Sequence, residues 1–208
     1  MQKGFLIVAL AATFISTFGL ISISGKERTA KPAAARAVTL EQRASEALSY
    51  AKKHHLNTSY ALLLDYSIPS GTPRLFVWSY EKQQVVARMY VMHGVGGGST
   101  KEKPVFSNRP GSKCSSLGKY KVLKSHGYKV RRSYRLQGLE RSNSNAFRRG
   151  IMIHRSTWVD RQCCKKYIPL HERSCQGCVT VSSKGMTYLE RLIKSETTPL
   201  LLWSYSQG

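Results

Sequence analysis

Two side chains in the C-terminal half have the chemistry for nucleophilic acyl transfer. Cys178 follows Gly177 directly and enters the apolar triplet Val179-Thr180-Val181, while His154 closes the run Gly150-Ile151-Met152-Ile153. A thiol attacks a carbonyl only as the thiolate. Its free pKa of about 8.5 means that a neighbouring imidazole or cation must help it ionise. His154, His171 and Arg173 are the nearest candidates in the sequence. Gly177 allows the backbone to approach a substrate closely. N–H groups in such a turn can face a developing oxyanion. The plainer alternatives are a buried or disulfide-bonded cysteine and a histidine hydrogen-bonded in the core. The hexapeptide Arg173-Ser174-Cys175-Gln176-Gly177-Cys178 does not choose between these readings.

Neighbouring cysteines widen the choice. Cys163, Cys164, His171, Cys175 and Cys178 fall within one short window, and Cys175 and Cys178 have zinc-ligand spacing. The other pair is vicinal, and the paired two-by-two spacing of a structural zinc site is missing. No metal and no cofactor is therefore expected. With Cys178 free, Cys114, Cys163, Cys164 and Cys175 leave room for up to two bridges of unassigned pairing. A Cys175–Cys178 bridge would silence the nucleophile. The loop from His93 through Gly94 to Ser99 is glycine-rich but lacks the Gly-Lys-Ser/Thr ending of a phosphate-binding loop. It is either a surface loop or a substrate-lining one.

These residues need a scaffold, and the hydrophobic period supplies one. Thr39 and Gln42 form a capping-box pattern, followed by Leu40, Ala44, Ala47, Leu48 and Ala51 at helical spacing, which predicts a helix to about His55. From Tyr60 onward strands are expected at 60–65, 74–80, 84–91, 118–123, 134–139, 150–154, 178–181 and 200–205, with a helix capped by Ser182 or Ser183 and running to about Lys194. The fold class is α+β and mostly β, a sandwich or barrel with few helices, preceded by the N-terminal helix.

Charge and the first residues bear on location. The 208 residues carry 33 Lys and Arg against 11 Asp and Glu, a formal net charge of +22, which calls for an anionic partner. Lys129 to Arg135, Arg148-Arg149 and Lys165-Lys166 are the basic clusters, each a solvated face or a contact for wall carboxylates or anionic lipid. Lys3 precedes an uncharged stretch from Gly4 to Gly25 with an apolar core and a small-x-small pattern at Ser22 to Ser24. That stretch reads as a secretory signal, or as an uncleaved anchor of residues 4–25 in the inner membrane. Residues 1–24 are thus a signal or anchor, 25–38 a linker, 39–56 the helix and 57–208 the main domain. Export, to periplasm or envelope, makes nucleic acid an unexpected partner and disulfides possible.

An ordered series then lines up: His93-Gly94 with its glycine loop, Phe106-Ser107-Asn108, Gly111-Ser112, Ser115-Ser116-Leu117-Gly118, Tyr120, Leu136 to Glu140, Asn143 to Ala146, Ile151 to His154, and Arg173-Ser174 before Gly177-Cys178. From Tyr60 to Tyr205 this order resembles the murein L,D-transpeptidase catalytic domain family, related to YkuD-type enzymes. The resemblance implies a mostly β domain acting on peptidoglycan stem peptides. It implies Cys178 as nucleophile, His154 as its base, and the backbone at Gly177 and Cys178 as oxyanion donor. Arg173, Ser174, His93, Gly94, Ser116, Gly118 and Asn145 would support the site or bind substrate. The sequence departs from the family pattern in three places. Arg155 follows His154 where the family has Gly, Cys175 and Gln176 separate Ser174 from Gly177 where one residue is usual, and Val179 replaces a usual Pro or small apolar residue. Three functions compete: a transpeptidase or its carboxypeptidase variant, a non-catalytic wall binder on the same fold, and a nucleic-acid or zinc protein that the export signal disfavours.

Overall fold

The computed structural model describes residues 38–124, 132–173 and 175–207. The expected signal or anchor, all but Val38 of the expected linker, residues 125–131 with Lys129 to Arg131 of the first basic cluster, and Ser174 lie outside the described residues. In chain order the elements are α1 (Leu40–Lys53), β1 (Tyr60–Asp65), β2 (Leu75–Ser79), β3 (Gln84–Met89), β4 (Val91–Met92), β5 (Gly118–Val122), β6 (Ser133–Gly138), β7 (Met152–Arg155), α2 (Thr157–Gln162), β8 (Val179–Val181), α3 (Ser183–Ser195) and β9 (Leu201–Tyr205).

The capping box at α1 forms as its residue types require. The Thr39 hydroxyl accepts from the Gln42 N–H at 3.2 Å, and the Gln42 side chain accepts from the Thr39 N–H at 2.8 Å. Glu41 in the first turn and Lys52 and Lys53 in the last complement the helix dipole. Ala44, Ala47 and Ala51 form the buried stripe, and their small side chains let the helix lie close on the sheet. There they meet Ala61, Leu63, Trp78, Leu201 and Trp203.

The nine strands form one sheet in the order β3-β2-β1-β9-β5-β6-β7-β8-β4, nearly closed on itself. The β1–β9 and β7–β8 pairs are parallel and the rest antiparallel. The sheet turns from one layer to the other within β6. Leu136 to Gly138 pair with β5, whereas Ser133 to Arg135 pair with β7. Period-two alternation sorts the side chains. In β1, Ala61 and Leu63 face α1, while Leu62 and Leu64 enter the main core. Ile153 of β7, Val179 and Val181 of β8, and Met186, Leu189 and Ile193 of α3 close that core from the other side.

Two expectations change in detail. The strand expected over 84–91 is two strands. β3 pairs with β2, and after Tyr90 the chain crosses to β8, where Val91 pairs with Val181. A single run of β-formers carries no mark of a change of partner. Helix α2 was not expected. Ser156 caps it, accepting from the Trp158 N–H at 3.2 Å, and Val159 is its buried anchor. One cap and one apolar residue make too short a pattern to read as a period. α2 and the chain after it cover the outer face of β8, where Met92, Val159, Ile168 and Cys175 form a small cluster.

Candidate active site

The parallel register of β7 and β8 decides which side chains meet. Ile153 pairs with Val179 and His154 with Thr180. Val179 and Ile153 point into the main core, so Thr180 and His154 occupy the opposite face. Cys178 stands in the bend just before β8, packed against the main core, with the Met152 N–H of β7 facing its sulfur. The parallel pairing thus brings the bend carrying Cys178 beside the strand that carries His154.

Each has a definite set of partners. The Cys178 thiol points toward the Gly150 carbonyl at 3.9 Å, and the Met152 N–H faces its sulfur. His154 Nδ1 lies 3.0 Å from the Arg155 carbonyl, and Nε2 lies 3.2 Å from the Thr180 hydroxyl. A carbonyl can only accept, so in the neutral ring Nδ1 carries the proton and Nε2 accepts from Thr180. Burial holds the His154 pKa below the ordinary histidine value, with the Arg155 carbonyl acting the other way. Burial also pushes the Cys178 thiol up to about 12. The Cys175 sulfur adds to that shift, while the Met152 N–H and the Arg149 guanidinium oppose it.

The turn before Cys178 depends on glycine. Gly177 has φ +106°, and a Cβ there would lie 2.4 Å from the Cys114 carbonyl oxygen. That same carbonyl accepts from Arg149, whose guanidinium also donates to the Ser107 carbonyl at 2.8 Å and reaches the hydroxyls of Ser112 and Ser116 at 3.4 Å. Arg149 therefore ties the loop 107–116 to the turn carrying the thiol. A pocket of about 430 Å³ opens beside Cys178. Besides Cys178 it is lined by Pro110, Gly111, Lys113, Arg148, Arg149, Gly150 and Gln176.

The other expected site residues fall into two groups. Ser116 and Asn145 support the Arg149 side. The Ser116 hydroxyl lies 2.8 Å from the Tyr120 hydroxyl, and Asn145 pairs twice with Asn108 and accepts the Arg149 N–H at its carbonyl. Gly118 opens β5 with φ +120° against Glu140 and Asn143. His93 and Gly94 lie at the end of β4, away from the pocket lining. His93 is buried, with Nδ1 3.1 Å from Arg74 Nη2 and Nε2 2.8 Å from the Thr100 carbonyl. Gly94 packs on the backbone of Lys113 to Ser115, and its N–H donates to Ser115 Oγ at 3.0 Å. Arg173 is exposed in the turn ahead of Cys175, and Ser174 lies outside the described residues. Cys114, Cys163, Cys164, Cys175 and Cys178 are all unbridged, and no metal-ligating cluster occurs among the described residues.

The sequence profile of the L,D-transpeptidase catalytic domain matches residues 31–203. The chain belongs to that family. Proteins of that family act on peptidoglycan stem peptides and are associated with the cell wall. Comparison with curated proteins gives no match. Among solved structures, the chain is similar to the helical cell shape determining protein Pgp2 of Campylobacter jejuni, with 12% identity, TM-score 0.46, and 72% of this chain and 48% of that one covered. It thus spans about half the length of that relative. An L,D-transpeptidase fragment from Xylanimonas cellulosilytica is 14% identical with TM-score 0.41, covering 76% of this chain and 68% of that one. The L,D-transpeptidase from Mycobacterium smegmatis is 11% identical with TM-score 0.39, covering 71% and 58%. No helix among the described residues is long and apolar enough to cross a membrane.

One residue of the candidate site, Arg149, is not among the residues that the sequence pattern singles out. Arg149 was grouped with Arg148 as a basic cluster, yet it holds the loop beside the thiol. Its position directly before the strand that ends in His154 was the available signal.

Proposed function

We propose that this chain is a peptidoglycan L,D-transpeptidase in which Cys178 is the nucleophile and His154 its base. The observation supporting this reading is the parallel pairing of β7 with β8, which brings the strand of His154 beside the bend of Cys178, a residue that lines a basic pocket. In the reaction, the Thr180 hydroxyl releases Nε2 of His154, and the imidazole takes the thiol proton. The sulfur then bonds to the carbonyl carbon of the third residue of a tetrapeptide stem. The N–H groups of Gly177 and Cys178 hold the oxyanion. The C–N bond to D-Ala breaks, and His154 returns the proton to the leaving amine. An amine of a second stem, or water, resolves the acyl-enzyme. Arg149 favours the thiolate by its charge. Residues 1–24 serve as export signal or anchor, 25–38 as linker, and 39–56 as a helix docked on the catalytic domain of 57–208. Arg173, Ser174, Ser116, Gly118 and Asn145 shape the site, with His93 and Gly94 bracing it from behind.

The test is mass spectrometry of a disaccharide-tetrapeptide incubated with the full chain and with its Cys178→Ala variant. D-Ala release with cross-linked dimers, lost in the variant, establishes the transpeptidase. Release without dimers makes it a carboxypeptidase. Intact stems under reducing conditions sink the catalytic reading for this substrate. One observation favours the alternative, a non-catalytic wall binder on the same fold: His154 Nε2 faces the Thr180 hydroxyl.

A further inference from the structure

The pocket beside Cys178 has an unusual charge pattern. Three of its eight described lining residues, Lys113, Arg148 and Arg149, are cationic, and none of the eight is a carboxylate. Lys113 and Arg148 are exposed, and no ion pair among the described residues includes any of the three. The hydrogen-bond partners of the Arg149 guanidinium are neutral carbonyls and hydroxyls. Like charges gathered at one cleft repel each other, and an anion relieves that repulsion. The remaining lining residues add amide and backbone groups. Elsewhere the protein does pair its cations, as Lys119 with Glu140 at 2.8 Å and Lys194 with Glu190 at 2.8 Å.

We infer that this pocket is a carboxylate-binding subsite that selects donor stems bearing a free carboxylate next to the scissile carbonyl, with Lys113 and Arg148 as its specificity-determining residues. The inference rests on the proposed function for the identity of the donor. It goes beyond that reading in stating which donors are refused. Two carboxylates of a tetrapeptide stem lie within reach of the attacked carbonyl: the side-chain carboxylate of a diamino-diacid third residue and the terminal carboxylate of D-Ala. Both present the same chemistry to the pocket. Amidating the one that binds removes its charge and places a donor against cationic donors.

The test uses three synthetic tetrapeptides: the free diacid, its third-residue amide and its C-terminal amide. D-Ala (or D-alaninamide) release by the full chain gives kcat/KM. Calorimetry with the full-chain Cys178→Ser variant gives affinity without turnover. The expected result is a loss of ten-fold or more in affinity and in kcat/KM for one of the amides, and the affected arm identifies the carboxylate. In a Lys113→Gln/Arg148→Gln variant that difference falls below three-fold, while circular dichroism and melting temperature show an intact fold. Selective binding without turnover upholds the subsite and removes the proposed catalysis. Turnover of all three peptides at similar kcat/KM overturns the subsite and leaves the catalysis standing. Equal binding of the three, or binding of none, also overturns it.

Discussion

Two regions on the sheet use the same residue types to opposite ends. At the end of β4, Arg74 is 1% exposed and donates to the carbonyls of Val91 at 2.9 Å and Ile68 at 3.0 Å and to His93. It stacks over Tyr66 at 4.9 Å and feels the charge of the Cys175 sulfur. Across the Cys175–Cys178 turn, Arg149 also donates to carbonyls and acts on a cysteine, but Cys178 and Arg149 border an open pocket. Each region thus holds an arginine, a histidine and a thiol. The first is sealed and satisfied. The second leaves a thiol and three cations facing a cavity. Residue type does not separate a brace from a site. Access and unspent hydrogen-bonding capacity do.

Exchanging cysteines gives the largest contrast. Cys178→Ala is expected to lower D-Ala release by about a thousand-fold or more with little change in melting temperature. Cys175→Ala removes a fully buried thiol outside the pocket lining. It is expected to keep activity within a few-fold at a cost of about 1 kcal/mol in stability. If the Cys175 variant is the inactive one, the roles assigned to the two regions are reversed.

The arginines follow. Arg74→Met strips buried carbonyls of their donor and should cost roughly 3 kcal/mol or more in chemical denaturation. Arg149→Met should cost less stability and more activity, because it frees the loop 107–116 and removes the charge opposing the raised thiol pKa. Comparable stability losses with unchanged kcat would erase the distinction. Gly177→Ala should cost about 1–3 kcal/mol for its left-handed φ alone and more for the contact with the Cys114 carbonyl. Differential scanning calorimetry measures it.

Titration separates the regions more finely. Burial and Arg74 bring the His93 pKa down to about 4 from 6.5. A depressed folded pKa adds stability above the unfolded value, and that stability is lost as pH falls from about 6.5 to about 4. The loss is on the order of 3 kcal/mol. His93→Gln should flatten the pH dependence of unfolding in that window, and an unchanged slope would contradict the buried neutral His93. Cys178 has the opposite sign. Its folded pKa near 12 favours the protonated thiol, so its contribution holds below about 9 and is lost as pH rises toward 12. Iodoacetamide labelling of Cys178 in the resting protein should therefore be slower than for a free thiol at pH 7.5 and should climb steadily above pH 9.

Much of this was legible in the sequence, for identifiable reasons. The Thr39–Gln42 box, the alanine stripe of α1 and the Ser182 cap of α3 are local signals, and the structure forms all three. The strand carrying Ile151 to His154 and the strand after Cys178 were also local. Their parallel pairing was not, because a register between segments some 25 residues apart leaves no trace in either one. The change of partner at Tyr90 was missed for the same reason, and the short helix α2 because one cap and one buried apolar residue make too short a pattern. The candidate pair Cys178 and His154 came from residue type and order. His93 belongs to the same ordered series, and its burial against Arg74, away from the pocket lining, marks it as a brace. Arg149 looked like surface charge, and only the four groups it contacts show its place beside the thiol.

The most direct test of the central claim is intact-protein mass spectrometry of the full chain during turnover of a free-acid tetrapeptide, with peptide mapping of any adduct. The account predicts a covalent adduct equal to the stem minus D-Ala, carried by Cys178 alone and absent from the Cys178→Ala variant. D-Ala release that persists in that variant, or an adduct mapped to Cys114, Cys163, Cys164 or Cys175, would contradict it.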